Sequence, residues 1–146
     1  MGPAFAKWRE YSQTTPEFNS GRIIYGGTSQ KISDAEVTAY NAPYPDDSYL
    51  AGARQFPTLV PDVPDNPSSE PNRAAWKVLE TLETPFLTVF GADDKIMAGV
   101  ETVFQKRVPG AAGQKHAILP NAGHFLHEDV GDELAQRTLA FIDNNP

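Results

Sequence analysis

Apolar positions along the chain follow two different rhythms. From Pro85 to Phe90 they are almost continuous, Pro85-Phe86-Leu87-Thr88-Val89-Phe90, and they stop at Gly91. A short run of β-formers closed by a glycine predicts a strand buried on both faces of a parallel sheet. A shorter run, His116-Ala117-Ile118-Leu119, predicts a second strand ahead of the turn Pro120-Asn121-Ala122-Gly123. Around these runs the spacing is helical. Ala75, Trp76, Leu79 and Leu82 predict an amphipathic helix over 72–82, and Val100, Val103 and Phe104 the inward face of one over 98–107. Leu134, Ala135, Leu139, Phe141 and Ile142 supply the buried positions of a closing helix over 129–144. Helix, strand, helix, strand, helix is an α/β pattern.

The part before residue 57 reads instead as mostly helical with loops. Ser33-Asp34-Ala35-Glu36 fits a capping box, with Val37 and Tyr40 on one helix face, and residues 47–55 predict a second short helix. Pro57, Pro61, Pro64, Pro67 and Pro71 then make a connector. The predicted organisation is a helical segment over 1–56, a proline-rich connector over 57–71 and an α/β part over 72–146, with no fixed-period repeat and no low-complexity tract.

Composition narrows the function classes. With 146 residues, 40% hydrophobic and 21% charged, the chain has room for one core. Its 19 acidic against 12 basic side chains give a net charge of −7, which repels a phosphate backbone. No basic stripe offsets that charge, so a nucleic-acid partner is not expected. The absence of cysteine removes a disulfide framework, a thiolate zinc site and a cysteine nucleophile together, and is compatible with the cytoplasm. Charged residues follow Phe5 closely, so there is no apolar signal core, and no later run approaches the ~20 apolar residues of a membrane span. A soluble, unprocessed, cytoplasmic protein without a membrane partner is expected.

The candidate chemistry sits just past the two strand ends, where open α/β sheets gather functional side chains. Gly91-Ala92-Asp93-Asp94 follows the first strand and Asn121-Ala122-Gly123-His124-Phe125 the second. If the strands are neighbours, an acid and a histidine emerge side by side. A carboxylate holding the Nδ1 proton of His124 would fix its tautomer and stabilise the imidazolium, as in a nucleophile, base and acid triad. By spacing alone an Asp after a strand is equally a helix cap, and a histidine after glycine equally a loop residue. His116 and His127 make no metal set with His124, and no third acidic ligand is placed to complete one, so neither a metal nor a cofactor is implied.

The segment Pro85 to Asp94, followed by Ala122-Gly123-His124-Phe125, resembles the last two strand ends of the α/β-hydrolase fold. Phe5-Ala6-Lys7-Trp8, then Ala39-Tyr40-Asn41-Ala42-Pro43-Tyr44-Pro45-Asp46, then Ala51-Gly52-Ala53-Arg54-Gln55-Phe56-Pro57, is similar to the helical cap of haloalkane dehalogenases and its return to the core. The resemblance covers essentially the whole chain. It implies a partial α/β-hydrolase fold, a helical cap segment followed by the C-terminal parallel strands and helices. It also implies that Asp94 matches the triad acid, with Asp93 as its rival, and that His124 matches the base. Trp8 matches the cap tryptophan whose indole N–H donates to the leaving halide, and Phe5 and Phe56 match apolar pocket walls. A plain core stripe, with Phe5 and Trp8 at i and i+3, is the lesser alternative.

In that family an aspartate displaces halide from a haloalkane and the histidine activates water against the resulting ester. The nucleophile elbow, a second halide-binding tryptophan and the oxyanion loop precede the cap, and no replacement is found. Gly26-Gly27-Thr28-Ser29 lacks a preceding apolar strand and reads as a cap loop. The expectation is a C-terminal half of a haloalkane dehalogenase-like hydrolase, inactive alone, with a small haloalkane and halide as ligands. Its partner is an N-terminal half or a second copy, since two strands cannot cover both faces of a sheet. Two alternatives stay open: a non-catalytic assembly or binding protein derived from the fold, and a half of an epoxide or ester hydrolase.

Overall fold

A computed structural model describes residues 2–146. The chain forms two compact units: one takes in the chain up to Gly26 together with Ile32–Ala75, and the other Gly27–Lys31 together with Trp76–Pro146. The boundary of the second lies near the expected start of the α/β part, but it also claims a short piece of the early chain.

The first unit is helical. Helix α1 (Pro3–Thr14) opens on a proline, whose missing N–H costs nothing in a first turn, and ends before Thr15-Pro16. Helix α2 spans Ser20–Gly27. Helix α3 (Asp34–Asn41) begins at the expected capping box: the Glu36 amide donates to Ser33 Oγ at 3.2 Å, and the Ser33 amide to Glu36 Oε2 at 2.6 Å. The helix expected over 47–55 is a 3₁₀ turn, Asp47–Leu50, running into α4 (Ala51–Gln55). A second 3₁₀ turn, Phe56–Leu59, follows. Phe5, Phe18, Ile32, Val37 and Leu50 are buried. Arg9 ties α1 to the segment after α4, donating to the carbonyls of Pro57 and Val60 at 3.1 and 2.8 Å and pairing with Asp62.

Helix α5 (Ser69–Leu79) starts three residues before the expected 72, because Pro71 in its first turn needs no N–H acceptor, and its residues from Trp76 on belong to the second unit. In that unit β1 (Val89–Gly91) and β2 (Ala117–Leu119) pair in parallel, Val89 with Ala117 and Gly91 with Leu119. The first strand is shorter than the expected run from Pro85. The Phe86 amide donates to Gly110 O at 2.9 Å and the Thr88 amide to His116 Nδ1 at 3.1 Å, so these backbone groups are satisfied outside the ladder. Helix α6 (Val100–Arg107) starts two residues late, after Gly99 at φ +87°. Helix α7 (Leu126–Asn144) starts three residues early, but a break at Val130 (φ −141°, ψ 39°) sets off its first turn.

Packing in the second unit corrects several expectations. Phe104 stacks on Trp76 at 5.3 Å and on Phe86 at 5.6 Å between centroids, with Arg107 4.2 Å above the Trp76 ring. Val108, Ala111, Leu119 and Ala122 are buried. The strand expected to be buried on both faces is only half-buried at Phe86, Leu87, Val89 and Phe90. Ala75 and Val103 are exposed, and on α7 so are Ala135, Leu139 and Ile142, while Leu134 and Phe141 are half-buried. The reason is that β1 and β2 each have one strand neighbour among the described residues, so little sheet surface is available to cover these faces.

Candidate active site

The parallel register fixes the site. Because Gly91 pairs with Leu119, the loops after both strands leave the sheet at the same end. The Ala92 amide donates to Leu119 O at 2.8 Å and the Asp93 amide to Ala122 O at 2.9 Å, which stitches the two loops together. Gly91 is required there: a Cβ would lie 2.3 Å from Ala122 O. Asn121 takes a left-handed conformation (φ 54°) that asparagine tolerates, and so turns the second loop.

Asp94 is 6% exposed, and its Oδ2 lies 3.0 Å from His124 Nδ1. Its Oδ1 accepts from the Ile96 and Met97 amides at 2.8 and 3.0 Å. The spacing had set helix capping and histidine pairing as rival roles; one carboxylate has both contacts. Burial acts to raise the Asp94 carboxyl. The hydrogen bond with His124, the Met97 and Ile96 amides and the attraction of the His124 charge outweigh it, so the group sits below the ordinary carboxylate range. An ionised Asp94 takes the Nδ1 proton as its donor and leaves Nε2 as the ring's acceptor, and Nε2 has no hydrogen-bond partner among the described residues. A partly exposed imidazole of this kind can accept a proton at Nε2 while the carboxylate stabilises the resulting charge.

Asp93 turns elsewhere: its Oδ2 accepts from Ser29 Oγ at 2.8 Å. The stretch Gly26 to Ser29, read from sequence as a cap loop, thus ends in the second unit against the histidine loop. Gly27 O accepts from the His124 amide at 2.8 Å, and Gly123 has no room for a Cβ, which would meet Gly27 O at 2.4 Å. Asp129, in the first turn of α7, accepts three amides: Gly123 at 2.7 Å and Ser29 at 2.9 Å on Oδ2, and Gln30 at 2.7 Å on Oδ1. Burial again acts to raise the carboxyl, and these amides, with a smaller attraction from His127, hold it below the ordinary range. Neither Ser29 nor Asp129 was singled out as a site residue from the sequence. The only local signal was an acid five residues after the histidine at a helix start.

The other expected residues lie in the first unit. Trp8 and Phe5 share a face of α1. Phe5 is 7% exposed under the Arg9 guanidinium, and Trp8 is half-buried against Tyr11 and Phe18, each 6.0 Å away. Its indole N–H makes no hydrogen bond among the described residues. Phe56 is 71% exposed, on the turn that Arg9 binds at Pro57.

His116 is structural: Nδ1 accepts from the Thr88 amide and Nε2 faces Ala111 O at 2.9 Å. His127 is exposed beside Glu128. Among the described residues no group of three or more His, Asp or Glu side chains is arranged to hold a metal ion, and no helix is long and apolar enough to cross a membrane. A cavity of about 460 Å³ opens among Leu87, Gln114, Lys115 and Phe141 and is lined by none of the expected site residues.

No protein-family model matches the sequence. Individual relatives do. The chain is 49% identical over 146 residues to a haloalkane dehalogenase of Psychrobacter cryohalolentis, covering all of this chain and 48% of that protein. It is 46% identical over 139 residues to a haloalkane dehalogenase of Mycolicibacterium paratuberculosis, covering 95% of this chain and 46% of that one. The chain spans about half the length of the relatives it matches. In structure it resembles a haloalkane dehalogenase of Paraglaciecola agarilytica described as tetrameric, with a TM-score of 0.82 at 19% identity, over 96% of this chain and 46% of that one. The fold is a partial α/β-hydrolase fold, helical segment first and parallel strands after.

Proposed function

We propose that this chain, similar along its whole length to haloalkane dehalogenases, supplies the acid and base of a hydrolase that cleaves carbon–halogen bonds through an alkyl-enzyme ester. Asp94 is the acid, His124 the base, Trp8 the halide donor, and Phe5 and Phe56 apolar walls. The nucleophile belongs to the part of the relatives' length that this chain does not span. The observation that carries the proposal is the contact of buried Asp94 with His124 Nδ1 at 3.0 Å, which leaves Nε2 as the open acceptor.

In the hydrolytic step His124 Nε2 takes a proton from water as the oxygen adds to the ester carbonyl. The carbonyl reforms, the C–O bond to the alcohol breaks, the alcohol leaves with that proton, and the carboxylic acid left behind gives up the water's second proton to solvent, restoring the nucleophile carboxylate. Relatives named for dehalogenation favour this chemistry over that of an epoxide or ester hydrolase. The test is halide release from a short bromoalkane by this chain alone, and by this chain mixed with the N-terminal half of the Psychrobacter relative. Sustained release is expected only from the mixture, and His124→Ala limits it to at most one equivalent of halide, because the ester then accumulates. Release by the single chain would overturn the division of labour, and a folded mixture without release would overturn the reaction.

Self-association is a second reading, on a separate observation. Val78, Ile118, Leu139 and Ile142 of the second unit are exposed apolar side chains, and the structural neighbour is described as tetrameric.

A further inference from the structure

We propose that Asp129 is a positioning residue for His124, acting through the backbone of Gly123 and through the segment Gly27–Lys31. The proposal rests on reading His124 as the base, and it names a residue that the pairing of Asp94 with His124 does not include. Asp94 fixes the imidazole ring, but a ring is only as well placed as the loop that carries it. That loop is held from behind. Asp129 Oδ2 accepts the amide of Gly123, the residue immediately before the histidine, and the same oxygen accepts the Ser29 amide while Oδ1 takes that of Gln30. The segment gripped in this way presents Gly27 O to the His124 amide at 2.8 Å and Ser29 Oγ to Asp93 at 2.8 Å.

The connections close a ring. From His124 the path runs through Gly123 to Asp129, through Ser29 to Asp93, and back along the chain to Asp94, which holds the imidazole. Three charge-assisted bonds on one carboxylate make Asp129 an anchor of that ring, as three on Asp94 make it another. It sits where α7 breaks at Val130, so its turn is set off from the regular helix that follows. Amide exchange then separates a local anchor from a remote structural residue, because the three donors lie in segments roughly a hundred positions apart.

The decisive variant is Asp129→Asn. It keeps one acceptor oxygen but turns the other into an NH₂ group facing amide donors. Asp132→Asn, an exposed substitution in the same helix with the same charge change, is the control. Nuclear magnetic resonance on the whole chain reads two things: exchange of the Gly123, Ser29 and Gln30 amides, and the Nδ1–H resonance and titration of His124. In Asp129→Asn exchange is expected to rise about tenfold or more, with the His124 resonance broadened and its titration shifted; Asp132→Asn is expected to leave both unchanged.

Faster exchange with an unaltered His124 would show a merely structural clip and overturn the proposal. So would amides as protected as in the control. If Asp129→Asn does not fold, Asp129→Glu carries the test, since it keeps both oxygens but moves them by one methylene; an unmoved His124 resonance there also overturns it. In the mixture with the N-terminal half, Asp129→Asn is expected to lower kcat about tenfold or more with little change in KM. Failure of the unaltered mixture to release halide would overturn the functional reading, while the resonance result would still decide the positioning role.

Discussion

Asp94 and His124, thirty positions apart in sequence, meet at 3.0 Å because Gly91 and Leu119 are partners in a parallel ladder. The acid contributes in two directions at once, orienting the imidazole with one oxygen and closing the Ile96 and Met97 turn with the other. Substitution there therefore has two separable consequences.

Asp94→Asn leaves an NH₂ group facing either the ring or the two amides, so it costs about 1–3 kcal/mol of stability through unsatisfied buried donors. In the mixture with an N-terminal half it lowers halide release by on the order of 10³–10⁴, the scale of losing the correct histidine tautomer. Asp93→Asn, which disturbs the Ser29 contact, costs about 0.5 kcal/mol or less. Chemical denaturation and a halide assay on both variants check this; equal losses from the two would contradict the geometry.

Acid dependence follows from the same carboxylates. Asp94 and Asp129 both sit below their ordinary value in the folded chain. Groups lowered on folding stabilise the native state fully above their unfolded value, near about 3.9, and that contribution is lost as pH falls through the lower folded values. Melting temperature is expected to fall steeply with pH below about 4 and to do so less in Asp94→Asn. A variant with an unchanged acid slope would show that this carboxylate does not carry the linkage.

Local rules, a strand that ends at a glycine and a histidine after the next strand's turn, brought an acid and a histidine together, while the choice of Asp94 over Asp93 came from the resemblance. The clip formed by Asp129 with residues 27–31 was not legible, since it joins segments about a hundred residues apart and no periodicity marks it. The α7 face shows a further limit. Leu134, Leu139, Phe141 and Ile142 have the spacing of a buried stripe, yet none is fully buried. Hydrophobic periodicity states which surface a segment needs to cover, and the amount of covering surface depends on the sheet it packs against. For the same reason the run from Pro85 reads as a full strand while only Val89–Gly91 enters the ladder.

The two phenylalanines expected as walls differ in what their removal would do. Phe5, 7% exposed, belongs to the core of the first unit, so Phe5→Ala is expected to cost about 3–5 kcal/mol. Phe56, 71% exposed, should change stability by about 0.5 kcal/mol or less on substitution by Ala. Thermal melts compare them directly. In the halide assay with the N-terminal half, Phe56→Ala then reports on substrate contact without a stability loss to confuse it, and a rise in KM is the expected result. An unaltered KM would remove Phe56 from the proposed pocket.

Association is the remaining consequence of an α/β unit with a two-stranded sheet. Ile118, in the middle of β2, is 51% exposed, and Leu139 and Ile142 on α7 are also exposed. Burial of apolar surface is worth roughly 25 cal/mol per Å², and exposed apolar side chains that form a contiguous patch normally mark an interface. The chain at micromolar concentration is therefore expected to sediment above the monomer mass and to bind an apolar dye. Ile118→Lys places a charge on the strand, so it should raise the monomer fraction and, if the patch serves association, lower the sedimentation coefficient without lowering the melting temperature. Adding the N-terminal half should suppress dye binding in the unaltered chain. A cooperative melt from a monomer that binds no dye, with or without that half, would show that these residues need no partner surface.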